Sequence, residues 1–304
     1  MKEQNTCIKP IYKADIPAII FTIDDGYVPY FSVALAGLLH NTSDNNVYDI
    51  TVLYKFISEK NMEILQNQCR PYPNVSLRFF NVGNIIAENQ KDKLVSNIEH
   101  INEVAFYRLY IPDIFALYKK IIFLDADICI DGDVAGLYRV DLGKNYLGAV
   151  RGCMAMQIKS YSTCISESAY RFARYVHDVV HMDGQNYFNA GVLLFNVRQM
   201  LKDGKNKEFL SKLDIVKTLR YNDQDILNMC CKDRVKYLGC EWNYCAKFEN
   251  ASDKKIYDDM LQDSIKIYHY IGSDKPWINK FRPFYNVFYT YAMLSPYWKN
   301  FLKN

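Results

Sequence analysis

The chain has 304 residues and a mass of 35.6 kDa, with 37 Lys and Arg against 34 Asp and Glu. Half of it is apolar and it carries 25 Tyr, 17 Phe and 3 Trp, which excludes a disordered polymer. A net charge of +3 gives no global attraction for DNA or RNA, so no nucleic-acid partner is expected.

Residues 1–16 read as an N-terminal extension. Lys2, Glu3, Lys9, Lys13 and Asp15 flank Pro10 with no apolar h-region, so no secretory signal is expected. No apolar run approaches the roughly 18 residues of a membrane span. The expected location is the cytoplasm, or the inner face of the cytoplasmic membrane as a peripheral protein. Nine Cys occur without any C-x-x-C pair, which suits reduced, structural thiols.

Pro17–Ile23 (PAIIFTI) is a short β-branched run and predicts a buried strand. Pro29–Leu39 places Phe31, Leu35 and Leu38 at helical spacing. Tyr48–Tyr54 alternates as a strand does. Ser58 caps a helix carrying Met62, Leu65 and Cys69. Val75–Phe80 is the next strand. Asn102 is placed to cap a helix that Pro112 ends, and Lys120–Leu124 (KIIFL) is a strand running into Asp125. This alternation predicts an α/β fold with a mostly parallel central sheet flanked by helices. Further on, Tyr187–Phe195 is an apolar run around Asn-Ala-Gly, Asn222 or Asp223 caps a short helix, and Ile265–His269 is a late strand. Without a Pro/Gly/Ser-rich linker, residues 17–280 are expected to form one catalytic domain and 281–304 a tail.

Four segments carry chemistry. Asp125-Ala126-Asp127 closes a buried strand, where open α/β sheets bind ligands. Two close carboxylates call for a cation between them, and a hard divalent ion with oxygen ligands satisfies this. A turn leading to Asp131-Gly132 is the other reading. An EF-hand loop fails, because its sixth position would be Ile130 rather than Gly. His269–Trp277 (HYIGSDKPW) gathers an imidazole, a glycine and an ammonium in one short segment, suited to a metal-bound diphosphate or to a buried corner. Asn222–Asp225 offers acids and an amide to a polyol, and would look the same as a capping run. Phe21–Tyr27 (FTIDDGY) ends the first strand at a nucleotide position but lacks both G-x-G-x-x-G and a P-loop.

Together with Ala105–Asp113 (AFYRLYIPD), Ile121–Tyr138 (IIFLDADICIDGDVAGLY) and Phe188–Asn196 (FNAGVLLFN), these ordered motifs resemble glycosyltransferase family 8 across about residues 17–280. That family includes bacterial lipopolysaccharide galactosyl- and glucosyltransferases. The resemblance implies a GT-A type, Rossmann-like fold and retaining transfer of galactose or glucose from UDP-galactose or UDP-glucose. The acceptor would be a saccharide or lipid-linked glycan, in bacterial surface polysaccharide synthesis. It implies Mn2+, with Mg2+ as the substitute, held by Asp125, Asp127 and His269. Thr22, Asp24 and Tyr27 would line the uridine, with Ala126 along the donor. Arg108 would sit beside Asp125 and the donor sugar. Gly272 and Lys275 would close over the diphosphate, and Asn189, Asp223 and Gln224 would face the sugar as the catalytic group.

An amide at Gln224 is a poor nucleophile, which favours front-face attack over a double displacement. Two departures from the family pattern stand out: Gly26, where many relatives carry Asn, and Arg151-Gly152, where some carry an acid. Two other function classes compete. A sugar nucleotidyltransferase would want basic residues in its first phosphate loop, which FTIDDGY lacks. A non-catalytic glycan-binding relative would have no need of a complete metal set.

Residues 281–304 hold nine aromatics with Arg282, Lys299 and Lys303 and no acid, so the tail supplies the whole net charge. Phe284, Phe288 and Tyr291 fall on one helix face. Such a segment suits peripheral contact with an anionic membrane, or packing onto the catalytic body.

Overall fold

Among the described residues the β-branched and aromatic runs form ten strands: β1 (Ala18–Thr22), β2 (Tyr48–Tyr54), β3 (Val75–Asn81), β4 (Ile121–Leu124), β5 (Ile128–Ile130), β6 (Leu147–Arg151), β7 (Phe188–Phe195), β8 (Val235–Tyr237), β9 (Tyr244–Cys245) and β10 (Ile267–His269). The structure is a computed structural model that describes residues 7–13, 15–83, 85–86, 103–160, 166–246 and 251–302. Seven strands make the central sheet in the order β3-β2-β1-β4-β7-β6-β8, and a small second sheet runs β5-β10-β9.

Parallel crossovers through α1 (Val28–His40) and α2 (Glu59–Cys69) lay β1, β2 and β3 side by side. Ser58 caps α2, its hydroxyl accepting from the Asn61 N–H, which satisfies one orphan donor of the first turn. Alternation along each strand splits the core in two. Ile20, Phe123 and Leu193 face the 103–114 segment and the helix Asn222–Cys231, while Ile19, Ile122 and Leu194 face α1. Both faces are covered, as a parallel sheet requires.

β7 is antiparallel to both of its neighbours, the one reversed strand among the seven described in the central sheet. Its direction matters for the site. The first residues of β7 lie at the carboxyl end of β4, with Leu124 opposite Val192 and the Asp125 N–H donating to the Gly191 carbonyl at 2.7 Å.

Three local expectations are corrected. Residues Glu103–Tyr110 form a 3₁₀ helix, and Pro112 does not end it. Instead Pro112 sits in the first turn of Ile111–Ile114, where a fixed φ and a missing N–H cost nothing. The proposed cap at Asn102 lies outside the described residues. Neither Asn222 nor Asp223 caps the helix Asn222–Cys231. Tyr221 occupies the cap without a side-chain bond, and Asn222 adopts a left-handed φ of 49°. The Asp223 carboxylate is engaged by Arg108, and Asp225 accepts the Tyr221 N–H at 2.8 Å.

The C-terminal segment forms the helix Tyr285–Ala292, with Phe288 and Tyr291 buried beside Val33 and Ala36 of α1. Phe284, expected on the same helix face, instead precedes the helix with a φ of 60°. Phe281 points outward, 87% exposed, and Ile278 just before the segment is 68% exposed. Among the described residues six cysteines are buried, Cys69, Cys129, Cys230, Cys231, Cys240 and Cys245, and Cys164 lies outside that set.

Candidate active site

Asp125 and Asp127 leave the buried strand β4 at its carboxyl end, and β5 then turns the chain away. Because β10 pairs antiparallel with β5, placing His269 opposite Ile128, the imidazole arrives beside both acids. His269 Nε2 lies 3.3 Å from Asp127 Oδ1 and 3.8 Å from Asp125 Oδ2. One ligand atom from each of the three residues fits within 4.8 Å of the others, the convergence a bound cation needs.

The donor set suits a divalent ion of the Mn2+ or Mg2+ type, two carboxylates supplying hard oxygens and one imidazole a borderline nitrogen. Gly191 makes the space: a Cβ there would fall 2.2 Å from His269 Cε1 and 2.7 Å from Asp125 Oδ2. Only a residue without a side chain lets β7 pass this close.

Two cations balance the acids. Lys275 donates from its ammonium to Asp127 Oδ2 and to the Tyr270 carbonyl. Arg108, buried over the Phe123 ring, donates from Nη2 to Asp125 Oδ1 at 2.8 Å and from Nη1 to the Ala190 carbonyl at 2.7 Å. Its Nε lies 3.0 Å from Asp223 Oδ2. Burial pushes the Asp127 carboxyl up, but Lys275 and His269 outweigh it and hold the group below its ordinary range. Asp125 stands above its ordinary value, because burial there outweighs Arg108 and Asp127 adds repulsion. Asp223 is pushed up to about 6 by burial, with Arg108 opposing.

The expected sugar-facing residues also meet. Gln224 Oε1 accepts from the Ala190 N–H at 2.9 Å and from Asn189 Nδ2 at 3.2 Å, and its Nε2 donates to the Tyr187 hydroxyl at 3.1 Å. Thr22 ends β1 next to the start of the 125–127 turn, with Phe21 opposite Leu124. Asp24 accepts the Tyr27 N–H at 3.0 Å and so shapes the turn after β1. Tyr27 packs edge-on to Trp277, and burial together with the charges of Asp127 and Asp125 holds its hydroxyl well above the ordinary range. Ala126 turns its methyl into the core between the two acids. Gly272 adopts a φ of 83°, a left-handed conformation that the turn after β10 requires.

Three contributors were not legible as site residues. Asn243 is fully buried and bonds both His269 and Asn189. Tyr187 holds Gln224, and the Ala190 carbonyl holds Arg108. Asn243 reaches the site because β9 pairs with β10, Cys245 opposite His269, and nothing in the local sequence marks it. Of the two departures, Gly26 has room for a side chain, its nearest neighbour being Asp24 Oδ1 at 3.5 Å. Arg151 stacks 3.6 Å from the Tyr237 ring centroid and donates to the Gln185 carbonyl.

Residues 18–280 match the model of the family described as Glycosyl transferase family 8. A lipopolysaccharide 1,2-glucosyltransferase of Escherichia coli is 28% identical over 280 residues, which cover 87% of this chain and 76% of that protein. Among solved structures, the bifunctional glycosyltransferase WbbM in its apo form matches 98% of this chain at a TM-score of 0.78 and 27% identity; this chain spans 53% of it. The galactosyltransferase LgtC, solved with donor and acceptor sugar analogs, shares the fold at a TM-score of 0.73 and 24% identity, covering 94% of this chain and 100% of its own.

Proposed function

The chain belongs to glycosyl transferase family 8, and from that premise we propose that it transfers galactose or glucose, with retention, from a UDP-sugar to a saccharide or lipid-linked acceptor. The observation that carries the proposal is the convergence of Asp125, Asp127 and His269 on one point, with Lys275 beside them. We assign the reaction to bacterial surface glycan synthesis, as the similarity to the Escherichia coli enzyme suggests. Family membership favours this over a sugar nucleotidyltransferase, and the complete acid and imidazole set favours it over a non-catalytic relative.

Breaking the anomeric C–O bond leaves negative charge on the β-phosphate of UDP. A divalent ion held by Asp125, Asp127 and His269 would supply Lewis acidity to that diphosphate. Lys275 brings a second positive charge to the same end of the site, and Gly272 lets backbone approach the phosphates. A group that meets charge as it develops is typically worth about 3 kcal/mol, or roughly a hundredfold in rate. Thr22, Asp24 and Tyr27 lie where the uridine would sit. Asn189, Asp223 and Gln224 are assigned to the sugar.

Gln224 Oε1 already accepts two hydrogen bonds, so it has no lone pair to offer the anomeric carbon. Asp223 is held by Arg108. This supports front-face attack by the acceptor, on the same side as the departing UDP.

UDP release measured over a panel of UDP-sugars with Mn2+ tests the reading. Turnover is expected with UDP-galactose or UDP-glucose and not after Asp127→Asn. Release from no UDP-sugar would overturn the donor assignment, and full activity of Asp127→Asn would overturn the metal assignment.

A further inference from the structure

The site contains an unbroken line of side-chain hydrogen bonds that all point one way. His269 Nδ1 lies 2.9 Å from Asn243 Oδ1, Asn243 Nδ2 donates to Asn189 Oδ1 at 2.8 Å, and Asn189 Nδ2 donates to Gln224 Oε1 at 3.2 Å. Gln224 Nε2 then donates to the Tyr187 hydroxyl at 3.1 Å, which donates to Asp225 Oδ1 at 2.6 Å. Asp225 is wholly buried and takes a second hydroxyl from Tyr175.

The direction is imposed by the backbone. An amide side chain can be turned end for end without changing its shape, so its orientation must be read from unambiguous partners. Two main-chain donors of β7 provide them. The Gly191 N–H points at Asn189 Oδ1 at 2.9 Å, and the Ala190 N–H points at Gln224 Oε1 at 2.9 Å. With Asn189 fixed as acceptor at Oδ1, the facing atom of Asn243 must be its NH2 group. Its carbonyl oxygen therefore faces His269, whose Nδ1 must carry the proton. That leaves Nε2 as the ring nitrogen facing Asp125 and Asp127, the one that would give its lone pair to a cation held between them.

We propose that Asn243 is a positioning residue that fixes His269 in its Nδ1–H tautomer for metal binding and locks the Asn189–Gln224 pair of the sugar side to the same network. The inference rests on the metal and sugar assignments above and adds the coupling between them. Partners of this kind, behind a metal-bound imidazole, typically govern about 10–100-fold in metal affinity or activity. Each dipole along an aligned chain also strengthens the next.

Two variants separate the two ends of Asn243. Asn243→Ala removes both contacts. Asn243→Asp keeps an acceptor for His269 Nδ1–H at nearly constant shape, but has no N–H to give Asn189. Ring nitrogen shifts of His269, read by NMR in metal-free protein at a pH high enough to leave the ring neutral, report the tautomer directly. The wild type and Asn243→Asp are expected to show Nδ1–H, and Asn243→Ala to lose that preference. Mn2+ affinity should fall about 10–100-fold in Asn243→Ala and stay near wild type in Asn243→Asp. Turnover of UDP-sugar at saturating Mn2+ should nevertheless fall at least about tenfold in Asn243→Asp, through kcat more than donor KM.

Asn243→Ala that keeps both the tautomer and the Mn2+ affinity would overturn the proposal, as would wild-type kcat in Asn243→Asp. The tautomer measurement needs neither metal nor donor. Should the wild-type protein bind no Mn2+ at all, the metal reading fails while the ring shifts still judge Asn243.

Discussion

The Arg108 guanidinium bonds Asp125 and Asp223 at once, 2.8 Å from Asp125 Oδ1 and 3.0 Å from Asp223 Oδ2, and so ties the carboxyl end of β4 to the helix Asn222–Cys231. The same group donates to the carbonyls of Ala105 and Ala190. Removing one partner of a buried ion pair typically costs about 3–5 kcal/mol, because the other charge stays behind. Arg108→Ala is therefore expected to unfold at clearly lower denaturant and to bind Mn2+ weakly. Arg108→Lys should recover only part of either loss, since one ammonium cannot replace a planar fork. Chemical denaturation and metal titration of the two variants check this; a lysine variant equal to wild type would sink it.

Gly191→Ala is expected to damage the proposed metal site more than the fold. Its Cβ would meet His269 Cε1 at 2.2 Å and Asp125 Oδ2 at 2.7 Å, so one of the two ligands must move. The variant should show loss of Mn2+ binding and of turnover, with the far-UV spectrum unchanged. Unaltered metal affinity would show that the ligands have slack not visible in the packing.

Asp223 gives a pH dependence with a definite sign. Its carboxyl is pushed from 3.8 up to about 6, so between those values the folded protein binds a proton that the unfolded chain has lost. Stability from this group is then greatest at low pH and falls as pH rises through about 4 to 6. A pKa that differs by one between the folded and unfolded chain is worth about 1.4 kcal/mol, so this carboxyl contributes about 3 kcal/mol at most. The difference in unfolding free energy between wild type and Asp223→Asn should shrink or reverse by that order across the window. A difference flat from pH 4 to 7 would refute the assignment.

The C-terminal segment divides its side chains between two environments. Phe288, Tyr291 and Phe301 are buried, and Arg282 donates to the Ile271 carbonyl, whereas Ile278, Phe281 and Leu302 remain exposed, close in sequence to Lys280 and Lys299. Among the described residues no helix is long and apolar enough to cross a membrane. We propose that the exposed Ile278 and Phe281 rest on an anionic membrane surface, where a lipid-linked acceptor would lie. Sedimentation with vesicles containing phosphatidylglycerol should pellet the wild type, and Ile278→Ser with Phe281→Ser should pellet less. Equal pelleting, or equal binding to neutral vesicles, would count against it.

The sequence made the alternation of strands and helices legible, because apolar periodicity and a cap such as Ser58 are local signals that need no knowledge of neighbours. It also placed Asp125, Asp127, His269 and Lys275 as chemistry-bearing residues, since each closes or follows a short buried strand. Strand direction was not local: nothing in Tyr187–Phe195 says that β7 runs against β4, yet that reversal puts Ala190 and Gly191 beside Asp125 and His269. The capping expectation at Asn222 and Asp223 failed for a related reason, a distant arginine having claimed the carboxylate. Asn243 was invisible for a similar cause, being brought to His269 by the pairing of β9 with β10, which nothing in the sequence around Asn243 signals. Tertiary structure alone decided these points, because the free energy that orients an amide or a reversed strand comes from partners far along the chain.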